Sequence, residues 1–270
     1  MTDNPPSPSR ASRLAIVGGG NMGAALLGGL LAAEWATAAE LAVVEVSAPR
    51  RAQLVEQFPG VAVLAEVGRC EAALIAVKPG DVEAATAAAV AAGATRILSI
   101  AAGVSIARLE SAAGTAAVVR SMPNTPALVG QGAAAIAGGS RATEDDLAWA
   151  EAILGAVGTV VRVPEYQLDA VTGLAGSGPA YVFMMAEALI DAGVLAGLAR
   201  PTAEALVVQL LVGSAALLAD RGDPAQLRAM VTSPGGTTAA GLRKLEEHGL
   251  RAAMLDAVTA ATERSRELGR

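Results

Sequence analysis

RLAIVGGGNMGAALLGGLLAAEW, residues 13–35, is the stretch on which the reading of the whole chain turns. A short apolar run from Leu14 to Val17 enters a glycine cluster and leaves it as a segment of helical length and composition. GGGNMG, at 18–23, fits G-x-G-x-x-G at that strand-to-helix turn. In such a turn Gly18 lets the chain reverse tightly, Gly20 lets a pyrophosphate approach the backbone, and Gly23 lets helix and strand pack closely. The N–H groups of Asn21 and Met22 then face an anion at the positive end of the helix dipole, with Val17 and Gly19 completing the loop. A glycine-rich turn without a ligand would share the pattern; its place at the first turn of a strand-helix series favours a dinucleotide site.

The series continues outward from that turn. LAVVEV (41–46) precedes RRAQLVEQF, AALIAV (72–77) precedes DVEAATAAAVAA, RILSI (96–100) precedes VSIARLESAA, and AAVVRS (116–121) runs into MPNTP. GAAAIA (132–137), TEDDLAWAEAILGAV and TVVRV (159–163) complete it, and Pro164 closes it. Strands alternating with helices predict an α/β fold with a Rossmann-type, doubly wound, mostly parallel sheet. Beyond Pro164 the strand signals stop, and LDAVTGLAGSGPAYVFMMAEALIDAGVLAGL, PTAEALVVQLLVGSAALLAD, PAQLRAMV and two final runs are helical in character. The expected division is residues 1–12 as a flexible tail, 13–164 as a dinucleotide-binding domain and 165–270 as an all-α domain. Helices apolar on more than one face need cover that so short a segment cannot give itself, which predicts a homodimer with interlocking helices.

Composition narrows the function classes. A formal charge of −6, a pI near 5.0 and 2% aromatic residues give neither a basic field nor a stacking surface for nucleic acid. No stretch reads as a membrane span flanked by charge asymmetry, and MTDNPPSPSR lacks the apolar core of a secretory signal. Cys70 is the sole cysteine, which fits a reducing compartment, so a soluble cytoplasmic protein is expected. No cluster of His, Cys and carboxylates has metal-ligand spacing, so no metal is expected.

The end of the second strand bears on which dinucleotide binds. Glu45 lies near the position where an acidic residue holds the ribose hydroxyls of NAD. Ser47, Arg50 and Arg51 follow it, offering a hydroxyl and two guanidinium forks where a 2′-phosphate would lie. The same residues also fit an N-capped helix with solvated arginines. NADPH is the expected cofactor, with NADH as a usable second. Three further turns, AVKPG (76–80), IAAG (100–103) and MPNTP (122–126), fall at strand ends and would line the same crevice. Ala76, Val77, Lys78, Pro79, Ile100, Ala101, Ala102 and Asn124 therefore join the expected cofactor set, with Lys78 near a phosphate.

SPGGTT, at 233–238, stands apart from these turns. Gly235 and Gly236 give backbone N–H groups room to converge on a small anion, and Thr237 and Thr238 open the run AAGLRKLEEHGL; a glycine turn with a threonine N-cap would look the same. His248, the only histidine, falls where that helix should end, and a cation suits a helix C-terminus. Tyr181 reads as a packed aromatic with a hydroxyl to offer, and Glu187 and Asp191 as interface or solvated groups.

GGGNMG, AVKPGDV, SIAAGV, MPNTPALVG, VTGLAGSGPAYVF, DAGVLAGLAR and VTSPGGTTAAGLRKLE, in this order, resemble the Δ1-pyrroline-5-carboxylate reductase family over residues 13 to about 267. The resemblance implies NAD(P)H-dependent reduction of pyrroline-5-carboxylate to L-proline, the last step of proline biosynthesis. It implies a Rossmann domain followed by a helical dimerisation domain, with rings of dimers in many members. It also implies that the loop of Ser233, Gly235, Gly236 and Thr237 holds the substrate carboxylate. Thr238 would hydrogen-bond the ring nitrogen while hydride passes to the imine carbon. Two departures stand out: Ala229 occupies a position where many members have Asp, and VAVLAEV (61–67) lacks an Asn that some members use near the adenine ribose.

Two rivals remain at this level. The enzyme rival is a β-hydroxyacid dehydrogenase or a reductase of another cyclic imine carboxylate; the hydroxyacid enzymes carry G-x-x-G-x-G-x-x-x-K, and GLAGSGPAYV puts Val182 at the lysine position, where no proton can be taken from an alcohol. A non-catalytic NADP-binding sensor would look identical through the first half, so only the SPGGTT loop separates it from a reductase.

Overall fold

Strands form where short runs of Leu, Ile, Val and Ala are covered on both faces. β1 (Leu14–Val17) and β2 (Leu41–Val44) have every residue buried; β3 (Ala62–Leu64) is a half-exposed edge; β4 (Ala72–Ile75) is again fully buried. β5 (Arg96–Ser99), β6 (Ala117–Met122), β7 (Gly132–Gly138) and β8 (Gly158–Arg162) complete one eight-stranded sheet of order β3-β2-β1-β4-β5-β6-β7-β8. Pairing is parallel from β3 through β6, antiparallel between β6 and β7, and parallel between β7 and β8. The reversal follows from the link: a tight 3₁₀ turn, Thr125–Val129, and a left-handed Gly130 at φ 71° return the chain at once, whereas a parallel partner needs a longer crossover.

The computed structural model describes residues 11–269. Residues 1–10 of the expected flexible tail lie outside the described residues. Ser12, assigned to that tail, is instead buried and forms a parallel bridge with Cys70, its N–H donating to Arg69 O at 3.0 Å. Cys70 is a buried free thiol, and desolvation raises its pKa, as for an inert structural cysteine.

Two compact units divide the chain: residues up to Gly176 together with those from Ala260 on, and Ser177–Thr259. In the first, α1 (Asn21–Ala32) and α2 (Ala48–Gln57) cover one face of the sheet; α3 (Val82–Ala91) and α4 (Ile106–Ala113) cover the other; α5 (Glu144–Gly155) joins α1 and α2. Leu26, Leu27, Leu30 and Ile153 pack on Leu14, Ile16 and Leu74. Val82, Ala89 and Leu109 pack on Val17, Ile75 and Ile97. The unit boundary falls later than the composition shift at Pro164. Leu168, opening α6 (Leu168–Val171), is buried with Ile106, Ala135 and Ala137, and Ser265 Oγ donates to Asp169 Oδ1 at 2.7 Å. The segment to Gly176 and the last helical turns therefore fold with the sheet.

The second unit is helical: α7 (Gly178–Leu195), α8 (Arg200–Arg221), α9 (Pro224–Met230), α10 (Thr237–Glu247) and the first half of α11 (Leu250–Leu268). Pro201 sits in the first turn of α8, Gly222 at φ 84° ends it, and Asp223 Oδ1 caps α9 by accepting from Ala225 and Gln226 N–H at 2.8 and 3.1 Å. No residue of α7, α9 or α10 is buried, and α8 buries only Ala203 and Val207. Glu165–Leu195 and Arg200–Arg221, with mean hydropathies of 1.3 and 1.8, are long and apolar enough to cross a membrane by length and composition alone.

Candidate cofactor and substrate sites

Strand order reverses between β1 and β4, and a doubly wound sheet receives its ligand outside the C-terminal ends at that point. Register brings the expected turns to one edge: Val17 pairs with Val44 and Ile75, Ile75 with Ser99, and Ser99 with Arg120. Gly18 N–H donates to Val44 O at 2.9 Å, Ala76 N–H to Val17 O at 2.8 Å, and Ile100 N–H to Ile75 O at 3.1 Å. The segments 17–23, 45–51, 76–80, 100–103 and 122–126 therefore leave the sheet side by side.

Each glycine of the first turn has a distinct steric reason. Gly18 has φ +114°, and a Cβ there would sit 2.4 Å from Ala76 O; one on Gly23 would sit 2.0 Å from Gly18 O. A Cβ on Gly20 would meet nothing within 4 Å, so this backbone is open to a ligand. α1 begins at Asn21 without a side-chain cap or an acidic residue in its first turn. Its unpaired N–H groups and dipole are left for an anion, which suits a pyrophosphate.

Glu45 is an anchor as well as a candidate ribose ligand: Oε2 accepts from Gly19 N–H at 3.2 Å and Oε1 from Ser47 N–H at 2.8 Å. Arg50 Nε donates to Gly19 O at 2.8 Å, and one Arg51 amino group donates to Glu45 O and Val46 O, both at 2.8 Å. Both arginines thus brace the turn and keep further donors for a phosphate. Ser47 is exposed at the start of α2 and Lys78 is exposed at its own turn, with no ion-pair partner for Lys78 among the described residues. Asn124 is held from both ends of its carboxamide: Oδ1 accepts from Ala133 N–H at 2.8 Å, and Nδ2 donates to Ala175 O at 3.1 Å.

In the second unit, Gly235 at φ +68° and the Gly236 N–H bond to Ser233 O, 3.1 Å, fold SPGGTT into the start of α10. A Cβ on Gly236 would sit 2.4 Å from Ser233 Oγ. The helix is preceded by Gly236 rather than capped by a threonine, and its first turn has no acidic residue. Thr237 and Thr238 are its first two residues, and the Thr238 hydroxyl has no hydrogen-bond partner among the described residues. His248 ends α10, with its N–H on Lys244 O at 3.1 Å. Tyr181 Oη lies 3.4 Å from Ala257 O, and Asp191 pairs with Arg200 at 2.7 Å on the surface. No group of three or more metal-ligating side chains occurs among the described residues.

Known proteins share this pattern along almost the whole chain. A pyrroline-5-carboxylate reductase dimerisation model matches residues 165–268, and a model for NADP oxidoreductases, coenzyme F420-dependent, matches residues 13–103. A pyrroline-5-carboxylate reductase of Synechocystis sp. is 46% identical over 266 residues, spanning 96% of this chain and 98% of its own. The chain belongs to the pyrroline-5-carboxylate reductase family.

Two solved pyrroline-5-carboxylate reductases agree in structure. That of Coxiella burnetii has a TM-score of 0.89 at 32% identity, covering 97% of this chain and 100% of its own. That of Plasmodium falciparum, with NADP bound, has a TM-score of 0.83 at 30% identity, covering 98% and 100%. Within the pyrroline-5-carboxylate reductase pattern, the two departures now have places: Ala229 lies in α9, and VAVLAEV supplies β3. Sequence reasoning missed Glu165, whose Oε1 accepts from Ile106 N–H at the start of α4, 2.6 Å, and from buried Arg120, 2.9 Å. That carboxylate steadies the segment after β5, and no local motif marks it, since its partners lie 59 and 45 residues away.

Proposed function

We propose that this chain reduces 1-pyrroline-5-carboxylate to L-proline with NADPH, the last step of proline biosynthesis, as a cytoplasmic homodimer. The observation that carries the reading is the unguarded start of α10: a glycine-capped helix N-terminus beside an unpartnered Thr238 hydroxyl, in a chain whose first unit opens a second such N-terminus at Gly20. The 46% identity to the Synechocystis reductase over nearly the full length supports the same substrate.

In this reading the N–H groups around Gly235, Gly236 and Thr237, with Ser233, receive the substrate carboxylate at the positive end of the α10 dipole. Thr238 hydrogen-bonds the ring nitrogen, fixes the ring orientation and keeps a proton at that nitrogen. Asn21, Met22 and the glycines from Gly18 to Gly23 receive the pyrophosphate; Ser47, Arg50 and Arg51 receive the 2′-phosphate. Val17, Ala76–Pro79 and Ile100–Ala102 line the rest of the nucleotide crevice. NADPH, when bound, supplies the hydride that reaches the imine carbon. The residues contribute positioning and electrostatics rather than a covalent intermediate. NADH serves as a second, weaker cofactor, because Glu45 remains at the place of a ribose-binding carboxylate.

The apolar faces of α7 and α8 are covered by a second copy of the chain, in keeping with the dimerisation model that matches residues 165–268, rather than by lipid. The net charge of −6 speaks against a nucleic-acid partner. Dimers can associate further into a ring. The test is NADPH oxidation with pyrroline-5-carboxylate, with the product identified as proline. Thr238→Ala should lower kcat about 10- to 100-fold, equal to one or two decades of transition-state stabilisation. Unaltered turnover would remove the role given to that hydroxyl, and no turnover by folded, NADPH-binding wild type would remove the reaction.

A further inference from the structure

The turn that joins β5 to α4 is held at its two ends and unbonded between them. At the near end, Ile100 N–H donates to Ile75 O at 3.1 Å and Ala101 N–H to Ser99 Oγ at 3.3 Å. Among the described residues, the N–H groups of Ala102, Gly103, Val104 and Ser105 make no hydrogen bond. The next, Ile106 N–H, donates to Glu165 Oε1 at 2.6 Å, and the same oxygen accepts from Arg120 of β6 at 2.9 Å. Glu165 is itself held from both sides: Gln167 N–H closes a 3₁₀ turn on Pro164 O at 2.9 Å, and Leu168 is fully buried with Ile106. The Arg120 guanidinium is buried, which ties the carboxylate that balances it to one position. All of these residues belong to the first compact unit.

Sheet order says what this turn faces. β2 lies on one side of β1, and β4 then β5 lie on the other. A dinucleotide whose pyrophosphate rests on the glycine turn after β1 therefore has its adenosine half over β2 and its nicotinamide half over β4 and β5. We propose that Glu165 is a positioning residue for the nicotinamide half of NADPH: by fixing Ile106 against Arg120, it shapes the unbonded turn 102–105 before the cofactor arrives. This rests on the NADPH site proposed above. Glu165 has no contact with the cofactor in this arrangement; its loss leaves the turn to be ordered during binding, at a cost in affinity.

The test uses the full chain and two probes that share the adenosine end, NADPH and adenosine 2′,5′-bisphosphate, each titrated calorimetrically; the second lacks the nicotinamide half. Glu165→Ala should raise the dissociation constant of NADPH about tenfold, the scale of a lost charge-assisted hydrogen bond, and leave that of adenosine 2′,5′-bisphosphate within about twofold of wild type. Glu165→Gln keeps an acceptor for both donors and should return NADPH affinity to within about threefold of wild type. Exchange of the Ile106 amide should quicken in Glu165→Ala and stay slow in Glu165→Gln, with β1 and β4 protected in both. If Glu165→Ala does not fold because Arg120 is left buried without its counter-charge, Arg120→Met combined with Glu165→Leu removes that cost, still releases Ile106 N–H and carries the same expected ratio. Equal weakening of both probes in a folded variant would make Glu165 a purely structural residue and overturn the proposal. Unchanged NADPH affinity, unchanged Ile106 exchange, or a Glu165→Gln protein as weak as Glu165→Ala would overturn it as well. Both probes read binding, so wild type that binds NADPH without reducing pyrroline-5-carboxylate fails the reductase reading alone, while the ratio still decides Glu165; wild type that binds neither probe overturns both.

Discussion

The two compact units use similar apolar residues and differ in what covers them. In the first, Leu14, Ile16, Leu27, Leu74, Ile97 and Leu109 are fully buried, and the clusters on both faces of the sheet are closed by the chain itself. In the second, Phe183, Met184 and Leu195 stand 63%, 71% and 90% exposed, and α8 offers Val208 and Val212 to its surroundings. Leaving one such side chain in water forgoes about 1.5–3 kcal/mol of burial. An apolar pattern thus says that a helix will be covered, but not by which copy of the chain.

Four measurements test that contrast. The largest effect is expected from Val208→Glu combined with Val212→Glu, one helical turn apart on α8. Sedimentation should give a monomer, with turnover down at least about 100-fold and NADPH binding unchanged, because charge is depleted from interface cores; a fully active monomer would break the contrast. Next, Gly23→Val drives a side chain into Gly18 O inside the self-sufficient unit. At an overpacking cost of about 1–3 kcal/mol, NADPH affinity should fall about 10- to 100-fold while the sedimentation mass stays that of wild type.

A third, smaller effect concerns the phosphate end. Arg50→Ala with Arg51→Ala should raise the KM for NADPH about tenfold more than that for NADH, the scale of lost charge-assisted hydrogen bonds. Equal changes would mean that the pair only braces the turn through Gly19 O, Glu45 O and Val46 O.

The smallest is structural. Burial alone would push the Asp146 carboxyl up, but Thr143 N–H and hydroxyl, with Arg96, outweigh it and hold the pKa below the usual value. A depressed folded-state pKa adds stability above the ordinary carboxylate pKa of about 3.9 and loses it as the pH falls below. Asp146→Ala should cost about 1–2 kcal/mol at neutral pH by loss of the capping box, with a gap to wild type that narrows in acid; a gap that is flat or widens in acid would contradict this origin.

Much of the first unit was legible because its signals are local. The glycine spacing at 18–23 and the short apolar runs of β1, β2 and β4 each carry their own local reason. β3 was not read as a strand because three half-exposed residues give too short a pattern. The direction of β7 depends on a tight turn rather than on its own residues, so GAAAIAG looks the same either way. The bonds that hold Asn124 are not legible in the sequence, since its partners are backbone groups 9 and 51 residues away that leave no mark in side-chain pattern. In the second unit the SPGGTT motif was visible, whereas the Gly236 start of α10, in place of a threonine cap, needed backbone geometry.

The bond from Ser265 to Asp169, across 96 residues, has a consequence for the order of events during synthesis. Ala260 onward belongs with the sheet, so the nucleotide-binding unit is still missing its closing segment when its last strand, β8, has left the ribosome. The whole helical unit must emerge first. Because that unit presents uncovered apolar helices, the nascent chain passes through an interval in which one unit is unfinished and the other is adhesive. The late, long-range closure slows folding as the loop entropy of distant contacts requires, and chaperone dependence should be greatest in that interval.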